Sequence, residues 1–457
     1  MYPRLKLARN LLRNDGFIFI SIDDHEQSNL KAICDEIYGE ENFRGKVSRV
    51  TGTPSGQGYD ILVNEVDYIL VYSKSDESSL GGFPFTEEDK KIYNQEDELG
   101  KYLTRPLRKT GGEDRREDRP TMYYPIPDPD GNKVYPVGPG GYESRWRCGP
   151  KKYTSLDSEN RIEWKRVSEN GDEVWKPYQK FYLEGRSKQP SNLWNNIEGN
   201  KKASIDLKNL LNGKIFDFPK PLEMIERCLA ISTADNDIVM DFFSGSSTTA
   251  HAVMALNVKE STNRRCISIQ LPEVVDVKSA AYKAGYKNIA DIGKERIRRA
   301  AAKIKKEKPG YEGDLGFKVF KLDGSNIRAW IPDRNDLEQT LIDHVEHLVD
   351  GRSKEDVLYE LLLKRGVELT APIEEKDISR KIVYSIGYGV LFACLNKTIS
   401  RDEIESLAQG IIDWHQELEP ATDTQVIFRD SAFVDDIAKT NMAAILEQNG
   451  IAHVRSL

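Results

Sequence analysis

The sequence predicts an α/β protein built on a doubly wound sheet. Residues 237–240 form a short apolar run of the kind found in buried parallel strands. The run leads through a hydroxyl-rich turn, residues 241–248, into small and apolar residues at helical spacing. This order places backbone N–H groups and the positive end of a helix dipole at the carboxyl edge of a sheet, where carboxylates and phosphates bind. The pattern therefore indicates a site for a nucleotide-like cofactor.

The residues of the turn narrow the choice of ligand. The turn contains Gly245 but no Gly-x-Gly-x-x-Gly, which argues against a dinucleotide, and no Gly-Lys-Ser/Thr, which argues against an NTPase. Taken alone, the turn is also compatible with an ordinary strand-to-helix connection capped by Ser and Thr. The segment upstream decides between these alternatives.

Upstream of the turn, residues 216–222 open an amphipathic helix that continues to Leu229, with prolines at its start. This Lys-Pro segment and the turn together resemble motifs ten and one of the DNA amino-methyltransferases, which jointly hold S-adenosylmethionine. The resemblance implies that the cofactor pocket is shaped by Asp241, Phe242, Phe243, Gly245, Ser246 and Thr248. It further implies that Phe218, Lys220 and Pro221 close the pocket.

The resemblance extends along most of the chain and narrows to one group of enzymes. The matching segments are residues 2–12, 16–23, 64–74, 191–195 and 426–441. The first four resemble parts of the β-class enzymes, and the last resembles the tail of the modification subunit of type III restriction-modification systems. The resemblance implies a Rossmann-like, S-adenosylmethionine-dependent methyltransferase sheet in the permuted β-class order. It implies transfer of a methyl group to the exocyclic amine of a flipped adenine in duplex DNA.

The resemblance also implies a catalytic motif that this sequence does not contain. β-class enzymes carry Asp-Pro-Pro-Tyr before the helix that residues 2–12 resemble, and this chain has no two adjacent prolines. In that motif the Asp and a backbone carbonyl accept the hydrogens of the target amine, and the Tyr stacks on the base. We therefore expect no catalytic residue here. We also expect that an N-terminal segment supplying a central strand is missing, through truncation or a late start codon.

Two functions remain open at this point. One is an adenine-specific DNA methyltransferase that acts with a second copy of itself and with a helicase-nuclease restriction subunit. The other is a catalytically inactive subunit of the same system, which binds DNA or holds the assembly together. A NAD-dependent oxidoreductase is a distant third function, because the glycine fingerprint is absent.

The second strand of the cofactor half departs from the family pattern. Residues 266–270 form this predicted strand, and its last position, an acid in related enzymes, is Gln270. An amide can accept one hydrogen bond from the ribose but lacks the charge of a carboxylate, so Glu273 is a second candidate for this contact. The alternative is that Glu273 only caps the following segment.

Charge and aromatic residues single out the middle of the chain. The formal net charge is −8, yet residues 101–190 hold 19 Lys and Arg against 14 Asp and Glu, interleaved with Tyr and Trp. Such a combination supplies phosphate contacts and stacking surfaces for DNA. The candidate DNA contacts are Arg105, Arg108, Arg145, Trp146 and Arg147. For the arginines of residues 105–119, local pairing with the interleaved acids is an equally good interpretation.

These observations divide the chain into four segments. Residues 1–74 and 192–307 should form one methyltransferase domain, interrupted by a target-recognition insertion at residues 75–191. Within the insertion, residues 120–141 predict loops and short strands. Residues 308–457 should form an α+β domain for assembly or dimerisation. There we expect helices at 353–363 and 402–418, and strands at 317–322, 382–394 and 425–428.

The remaining features exclude other classes. No apolar run is long enough to cross a membrane and no signal-peptide pattern occurs, so we expect a cytoplasmic protein. The five cysteines are scattered, which favours reduced thiols. His344 and His347 have no further ligand nearby in sequence, so no metal is predicted. Residues 51–58 resemble a phosphate-binding loop only weakly, and an ordinary loop is the better interpretation.

Overall fold

A computed structural model describes residues 1–52, 64–169, 171–328, 336 and 348–457 of the chain. The chain divides into two compact units, Met1–Gly316 and Phe317–Leu457. Among the described residues, no helix combines the length and the apolarity needed to cross a bilayer. The roles assigned above to the four segments of sequence stay predictions.

The first unit alternates helices and strands. Its helices are α1 (Tyr2–Leu11), α2 (Gln27–Tyr38), α3 (Glu87–Lys90), α4 (Pro150–Ser158), α5 (Asn200–Leu211), α6 (Leu222–Ala230), α7 (Thr248–Glu260), α8 (Ala280–Lys283) and α9 (Ile289–Glu307). Its strands are β1 (Phe17–Ile22), β2 (Phe43–Val50), β3 (Val66–Ser73), β4 (Gln95–Asp97), β5 (Gly100–Pro106), β6 (Ile126–Pro127), β7 (Lys133–Val134), β8 (Ile162–Glu169), β9 (Asp172–Tyr182), β10 (Leu193–Trp194), β11 (Ile238–Asp241) and β12 (Arg265–Ser268). Short 3₁₀ helices occupy Glu40–Asn42, Arg116–Asp118 and Pro120–Met122.

Four strands of the first unit form a mixed sheet in the order β1-β3-β2-β10. β3 runs antiparallel to both β1 and β2, and β10 runs parallel to β2. Helices cover both faces of β3, because Leu70 and Tyr72 pack with residues of α1 and α2 while Ile69 and Val71 pack with residues of α6. Burial on both faces explains why residues 68–72 of β3 are an uninterrupted run of apolar and aromatic residues. The predicted α/β class is thereby confirmed.

The strand that leads into the hydroxyl-rich turn belongs to a second, smaller sheet of two strands. β11 pairs in parallel with β12, and Asp241 lies opposite Ser268. Val239 and Cys266 pack under α6 and α7. On the other face, Ile238, Met240, Ile267 and Ile269 are 54%, 36%, 43% and 48% exposed. The sequence predicts a single sheet for residues 1–74 and 192–307, but the described residues there form two. β1 pairs only with β3, and β11 pairs only with β12, so no strand pairing joins the two sheets.

Side-chain contacts, rather than strand pairing, join these two sheets. The Arg13 guanidinium at the end of α1 binds the Asp237 carboxylate at 2.8 Å, just before β11. The Arg4 guanidinium lies 5.4 Å from the centre of the Phe243 ring, at the other end of β11. Phe242 packs against the core formed by α1, α2 and β3. These contacts place the turn beside the first half of the chain.

The inserted segment has its own sheet and core. β4, β5, β9 and β8 form an antiparallel sheet in that order, and β8 and β9 are a long hairpin. Residues 120–141 contain a 3₁₀ helix and the two-residue strands β6 and β7, which confirms the prediction of loops and short strands. Leu107, Ile126, Trp146 and Leu156 pack together with Ile162 as the core.

The second unit is a five-stranded sheet between helices. Its elements are α10 (Lys354–Arg365), α11 (Ile404–Leu418), α12 (Asp436–Gln448), β13 (Ile373–Ile378), β14 (Lys381–Ile386), β15 (Leu391–Cys394), β16 (Gln425–Phe428) and β17 (His453–Ser456), with short 3₁₀ helices at Arg401–Glu403 and Asp430–Ala432. The strands follow each other in space in sequence order, antiparallel from β13 to β15 and parallel from β15 to β17. Residues of α11 and α12 pack on one face of the sheet, and residues of α10 pack on the other.

Most of the elements expected in this unit are present, and one is not. Both expected helices are confirmed by α10 and α11, and the strand at 425–428 is β16. Residues 382–394 contain two strands, because Gly387, Tyr388 and Gly389 all have positive φ and turn the chain between them. The strand expected at 317–322 is wrong, since these residues form no strand and Leu322 is fully exposed. Alternating sequence alone does not make a strand where no neighbouring edge is available to pair with.

Candidate cofactor site

The turn between β11 and α7 reverses the chain within a few residues. Gly245 and Ser247 both have left-handed backbone conformations, with φ of +52° and +59°. Glycine adopts this conformation without penalty, while a serine there is uncommon. The turn is held down along its length, because Ser244 donates its backbone N–H to the Ile269 carbonyl and Ile269 donates to the Asp241 carbonyl.

Asp241 braces the turn from inside. One carboxylate oxygen accepts the backbone N–H of Phe243 at 3.1 Å, and the other accepts the Thr249 hydroxyl at 2.6 Å. Hydrogen bonds to a carboxylate are stronger than those between neutral groups. The carboxylate therefore fixes the start of α7 relative to the end of β11. Asp241 and the other predicted turn residues, Phe242, Phe243, Gly245, Ser246 and Thr248, lie together at this edge.

The Gln270 side chain forms hydrogen bonds within the protein. Its side-chain oxygen accepts the backbone N–H of Gly245 at 2.6 Å, and its side-chain nitrogen donates to the Leu271 carbonyl at 3.2 Å. Both ends of the amide are thus engaged within the protein. Glu273 lies beyond the end of β12 and is exposed. Ribose contact by Gln270 or Glu273 stays a prediction, and the exposed carboxylate of Glu273 is the better placed of the two groups.

The Lys-Pro segment lies against the turn. The Cζ atom of Phe216 lies 3.6 Å from the position that a Cβ atom on Gly245 would occupy. Phe218 has a left-handed φ of +54° and is 87% exposed, although Pro219 and Pro221, which follow it, are buried. A bulky residue in this conformation costs about 1–2 kcal/mol, and such strain is concentrated at functional sites. Phe218 is therefore well placed to cover a ligand.

Lys220 links this segment to the four-stranded sheet. Its ammonium group lies 3.8 Å from the Asp67 carboxylate, which also binds the buried Arg49 guanidinium at 2.8 Å. Burial lowers the pKa of Lys220, and the negative charge of Asp67 partly opposes that shift. Lys220 also lines a cavity of about 580 Å³ together with His251 and Arg296. Burial, helped by the charges of Arg296 and Lys303, lowers the pKa of His251 to about 3, so its imidazole is neutral.

Arg296 is a site residue that sequence reasoning missed. Its side chain on α9 is 4% exposed, and one terminal guanidinium nitrogen donates to the hydroxyls of Ser246 at 3.0 Å and Thr248 at 2.7 Å. The signal that could have revealed it is an arginine inside the apolar stripe of a helix. Ile292, Ile297 and Ile304 form that stripe, and Arg296 is buried among them.

Gly293 lets α9 approach the turn. A Cβ atom at this position would lie 2.5 Å from the Ser247 hydroxyl oxygen and 3.3 Å from the Gly245 carbonyl oxygen. The Ser247 hydroxyl is buried and lies 3.1 Å from that of Ser244, so it has little room to move. A glycine in the middle of a helix is thus explained by close packing against the turn.

The predicted DNA contacts fall into two groups. Trp146 is 2% exposed in the core of the insertion, and its indole N–H donates to the Tyr124 carbonyl. Arg145 is 5% exposed and binds Glu113 through its carboxylate and its carbonyl. Neither side chain presents a surface to a ligand in this structure. Sequence reasoning did not separate them from their neighbours because it could not see which side of the segment faces the core.

Arg105, Arg108 and Arg147 form the second group. The Arg147 Nε donates to the Arg108 carbonyl at 3.4 Å, and burial, together with the positive charges of Arg105 and Arg108, lowers the pKa of Arg147. Arg108 pairs with Asp114 at 3.2 Å, while Arg105 is exposed on β5. Three like charges at one place attract a polyanion. We call these three residues the arginine cluster.

The neighbouring charges pair, but not at helical spacing. Arg116 binds Glu143 at 2.8 Å and stacks on Tyr123, and Arg115 stacks on Tyr142. The contacts with Glu143 and Tyr142 join segments that are distant in sequence, whereas Arg108 pairs with an interleaved acid, Asp114. Pairing with an interleaved acid is thus found for Arg108, although not at the spacing of a helical turn. Residues 53–58 of the weak phosphate-loop pattern, and His344 and His347, lie outside the described residues.

Comparisons with known proteins agree with this geometry. A family model described as DNA methylase matches residues 1–275, which is more than half of the chain. The chain belongs to the DNA methylase family. It is 33% identical over 401 residues to the Mod subunit of the type III restriction-modification enzyme EcoPI from Escherichia phage P1. That match covers 83% of this chain and 61% of the relative.

Two further relatives show the same likeness. The Mod subunit of the type III enzyme StyLTI from Salmonella typhimurium is 35% identical over 326 residues, which cover 70% of this chain and 47% of the relative. The type II methyltransferase M.KpnI from Klebsiella pneumoniae is 32% identical over 313 residues, covering 65% of this chain and 72% of the relative. The chain thus spans 61% and 47% of the lengths of the two Mod subunits.

Replacing Phe218 with glycine should weaken cofactor binding without destabilising the fold. The ring is almost fully exposed, and glycine relieves the left-handed strain, so the free energy of unfolding should not fall. Loss of a stacking surface should reduce the free energy of S-adenosylmethionine binding by about 1–3 kcal/mol. Thermal unfolding and titration calorimetry measure the two quantities. Phe218→Tyr, which keeps the ring, is the control; unchanged affinity in Phe218→Gly would show that the ring does not touch the cofactor.

Gly293→Ala should have opposite effects on the helix and on the site. Alanine stabilises a helix by about 1 kcal/mol relative to glycine, but its methyl group would displace the turn at Gly245 and Ser247. We expect a folded protein whose affinity for S-adenosylmethionine is reduced about tenfold or more. Gly310→Ala is the matched control, since nothing lies within 4 Å of a Cβ atom there. Equal affinity of the two variants would contradict the close-packing argument.

Proposed function

We propose that this chain carries the S-adenosylmethionine site and a DNA-reading insertion of an adenine-specific DNA methyltransferase, the modification subunit of a type III restriction-modification system. The single observation that supports this most is the turn at residues 241–248, braced by Asp241 and Gln270 and covered by the Lys-Pro segment. The two motifs that the resemblance pairs, residues 216–222 and 241–248, lie against each other in the structure. The family and the type III relatives support the same function.

The cofactor is proposed to lie over the carboxyl ends of β11 and β12. The open N–H groups at the start of α7 and the hydroxyls of Ser246 and Thr248 suit its amino-acid end. Phe218 would cover it, and the exposed Glu273, beyond the end of β12, is available for the ribose hydroxyls. S-adenosylmethionine supplies an activated methyl group when bound there. Adenine as the acceptor follows from the likeness to type III modification subunits.

The DNA-reading role is proposed for the arginine cluster of Arg105, Arg108 and Arg147. The insertion that carries these like charges also contains arginines stacked on tyrosines. Arginines suit phosphate contacts, and aromatic rings suit stacking on bases. Arg145 and Trp146 would then support the cluster from the core. The proposed partners are duplex DNA, a second copy of the chain and a helicase-nuclease restriction subunit. We propose that the second unit serves the assembly.

Binding and transfer are expected to separate in this chain. It contains no Asp-Pro-Pro-Tyr, so the groups that would localise the lone pair of the target amine are not among its residues. The described structure offers a cofactor turn and a charged insertion, but no residue that we assign to the chemical step. We therefore propose methyl transfer as an activity of the whole restriction-modification system. For this chain we propose cofactor binding and DNA binding.

The chain should bind S-adenosylmethionine and transfer no methyl group by itself. Asp241→Ala should weaken binding by about 1–3 kcal/mol, because the turn loses a carboxylate that accepts two hydrogen bonds. Lys306→Ala, an exposed change on α9, is the control. Equilibrium dialysis gives the affinity, and radiolabelled transfer to adenine-containing duplexes gives the activity. Turnover would place catalytic residues within this sequence, whereas no binding to the unaltered chain would contradict the proposed cofactor.

Arg105→Ala and Arg147→Gln should each weaken duplex DNA binding and reduce its salt dependence. Removing one arginine that binds a phosphate should lower the slope of log affinity against log salt by about 1. Fluorescence anisotropy at several salt concentrations measures both the affinity and the slope. Lys151→Ala, an exposed charge on α4 outside the arginine cluster, should change neither. Equal slopes in all the proteins would remove the cluster from the proposed interface.

A further inference from the structure

Arg296 carries a buried charge that no acidic side chain compensates. The residue is 4% exposed, and among the described residues no carboxylate forms an ion pair with it. Burial alone lowers the pKa of its guanidinium to about 10, so the group remains charged at neutral pH. Burying a charge without an opposite charge is costly, and proteins rarely retain one without a partner. An anion near this position would offset the cost.

The hydrogen bonds of Arg296 point to where such an anion would bind. One terminal nitrogen donates to the hydroxyl oxygens of both Ser246 and Thr248. A hydroxyl has one hydrogen, so an oxygen that accepts from the guanidinium can direct its own hydrogen to another acceptor. The Thr249 hydroxyl differs, because it donates to Asp241. The first two hydroxyls are thus prepared as donors at the start of α7.

A second observation also indicates an unfilled position. The Nε atom of Arg296 is buried and has no hydrogen-bond partner among the described residues, and the same holds for Nδ1 of His251. Arg296 thus reaches the turn, through Ser246 and Thr248, and it also lines the cavity of about 580 Å³ that His251 lines. Buried polar groups in folded proteins are nearly always hydrogen-bonded, so two adjacent exceptions suggest a site that a ligand or its ordered water completes.

We propose that Arg296 is a positioning residue that makes the cofactor turn selective for an anionic group, the carboxylate at the amino-acid end of S-adenosylmethionine. This inference rests on the proposed function. The guanidinium orients the hydroxyls of Ser246 and Thr248 toward the carboxylate and adds positive charge behind them. The helix dipole of α7 acts in the same direction. The turn then distinguishes a cofactor that carries a carboxylate from a nucleoside that lacks it.

Two ligands that differ in the amino-acid end alone test the proposal. S-adenosylhomocysteine has the carboxylate, and 5′-methylthioadenosine has the same nucleoside and sulfur without it. In Arg296→Gln, affinity for S-adenosylhomocysteine should fall by at least about tenfold while affinity for methylthioadenosine stays within about twofold. Arg296→Lys keeps the charge and should restore much of the loss. Lys306→Gln, an exposed change near the end of α9, should leave both affinities unchanged.

The possible results separate this inference from the proposed function. Equal losses for both ligands would assign Arg296 a purely structural role, and no loss for either would remove it from the site; each result overturns the proposal. If Arg296→Gln does not fold, Thr248→Val removes one of the two hydroxyls at nearly constant volume. It should lower the ratio of the two affinities in the same direction, and an unchanged ratio again overturns the proposal. An unaltered protein that binds neither ligand would instead contradict the proposed cofactor.

Discussion

The structure of the cofactor half depends on how one turn is held open. Between β11 and α7 the backbone must reverse direction while its N–H groups stay available to a ligand. Asp241 achieves this from β11 by accepting one hydrogen bond from the turn and one from the first turn of α7. Gln270 holds Gly245 from the end of β12. The parallel register that sets Asp241 opposite Ser268 brings both braces to the same edge.

The rest of the first unit is arranged around this turn. α9 packs on the turn through Gly293, and its Arg296 donates hydrogen bonds to the hydroxyls of Ser246 and Thr248. The Lys-Pro segment covers it from the side, and Lys220 extends from there to Asp67 in the four-stranded sheet. Ion pairing of Arg13 with Asp237 fixes the two sheets near each other without strand pairing. A change in any of these interactions would alter the shape of the proposed pocket.

In the insertion, the residues proposed to bind DNA differ from those that support the fold. Trp146 and Arg145 anchor its core and its loops, while neighbouring Arg147 joins Arg105 and Arg108 in the arginine cluster. A cluster of like charges is unfavourable for the free protein, and an insertion that maintains one suits a polyanionic ligand. Aromatic rings under Arg115 and Arg116 extend the same chemistry. Support and the proposed DNA binding thus come from residues that are adjacent in sequence.

The sequence by itself determined the α/β class, the turn with its helix, the Lys-Pro segment and, in the second unit, the helices α10 and α11 and the strand β16. These features depend on local periodicity and turn chemistry, which short stretches of residues encode. Tertiary structure alone decided that Gln270 braces Gly245, that Arg296 supports Ser246 and Thr248, and that Trp146 is core. It also left residues 317–322 without a strand. The reason is physical: a side chain's role depends on its burial and on partners from other elements, and residue spacing along the chain does not specify them.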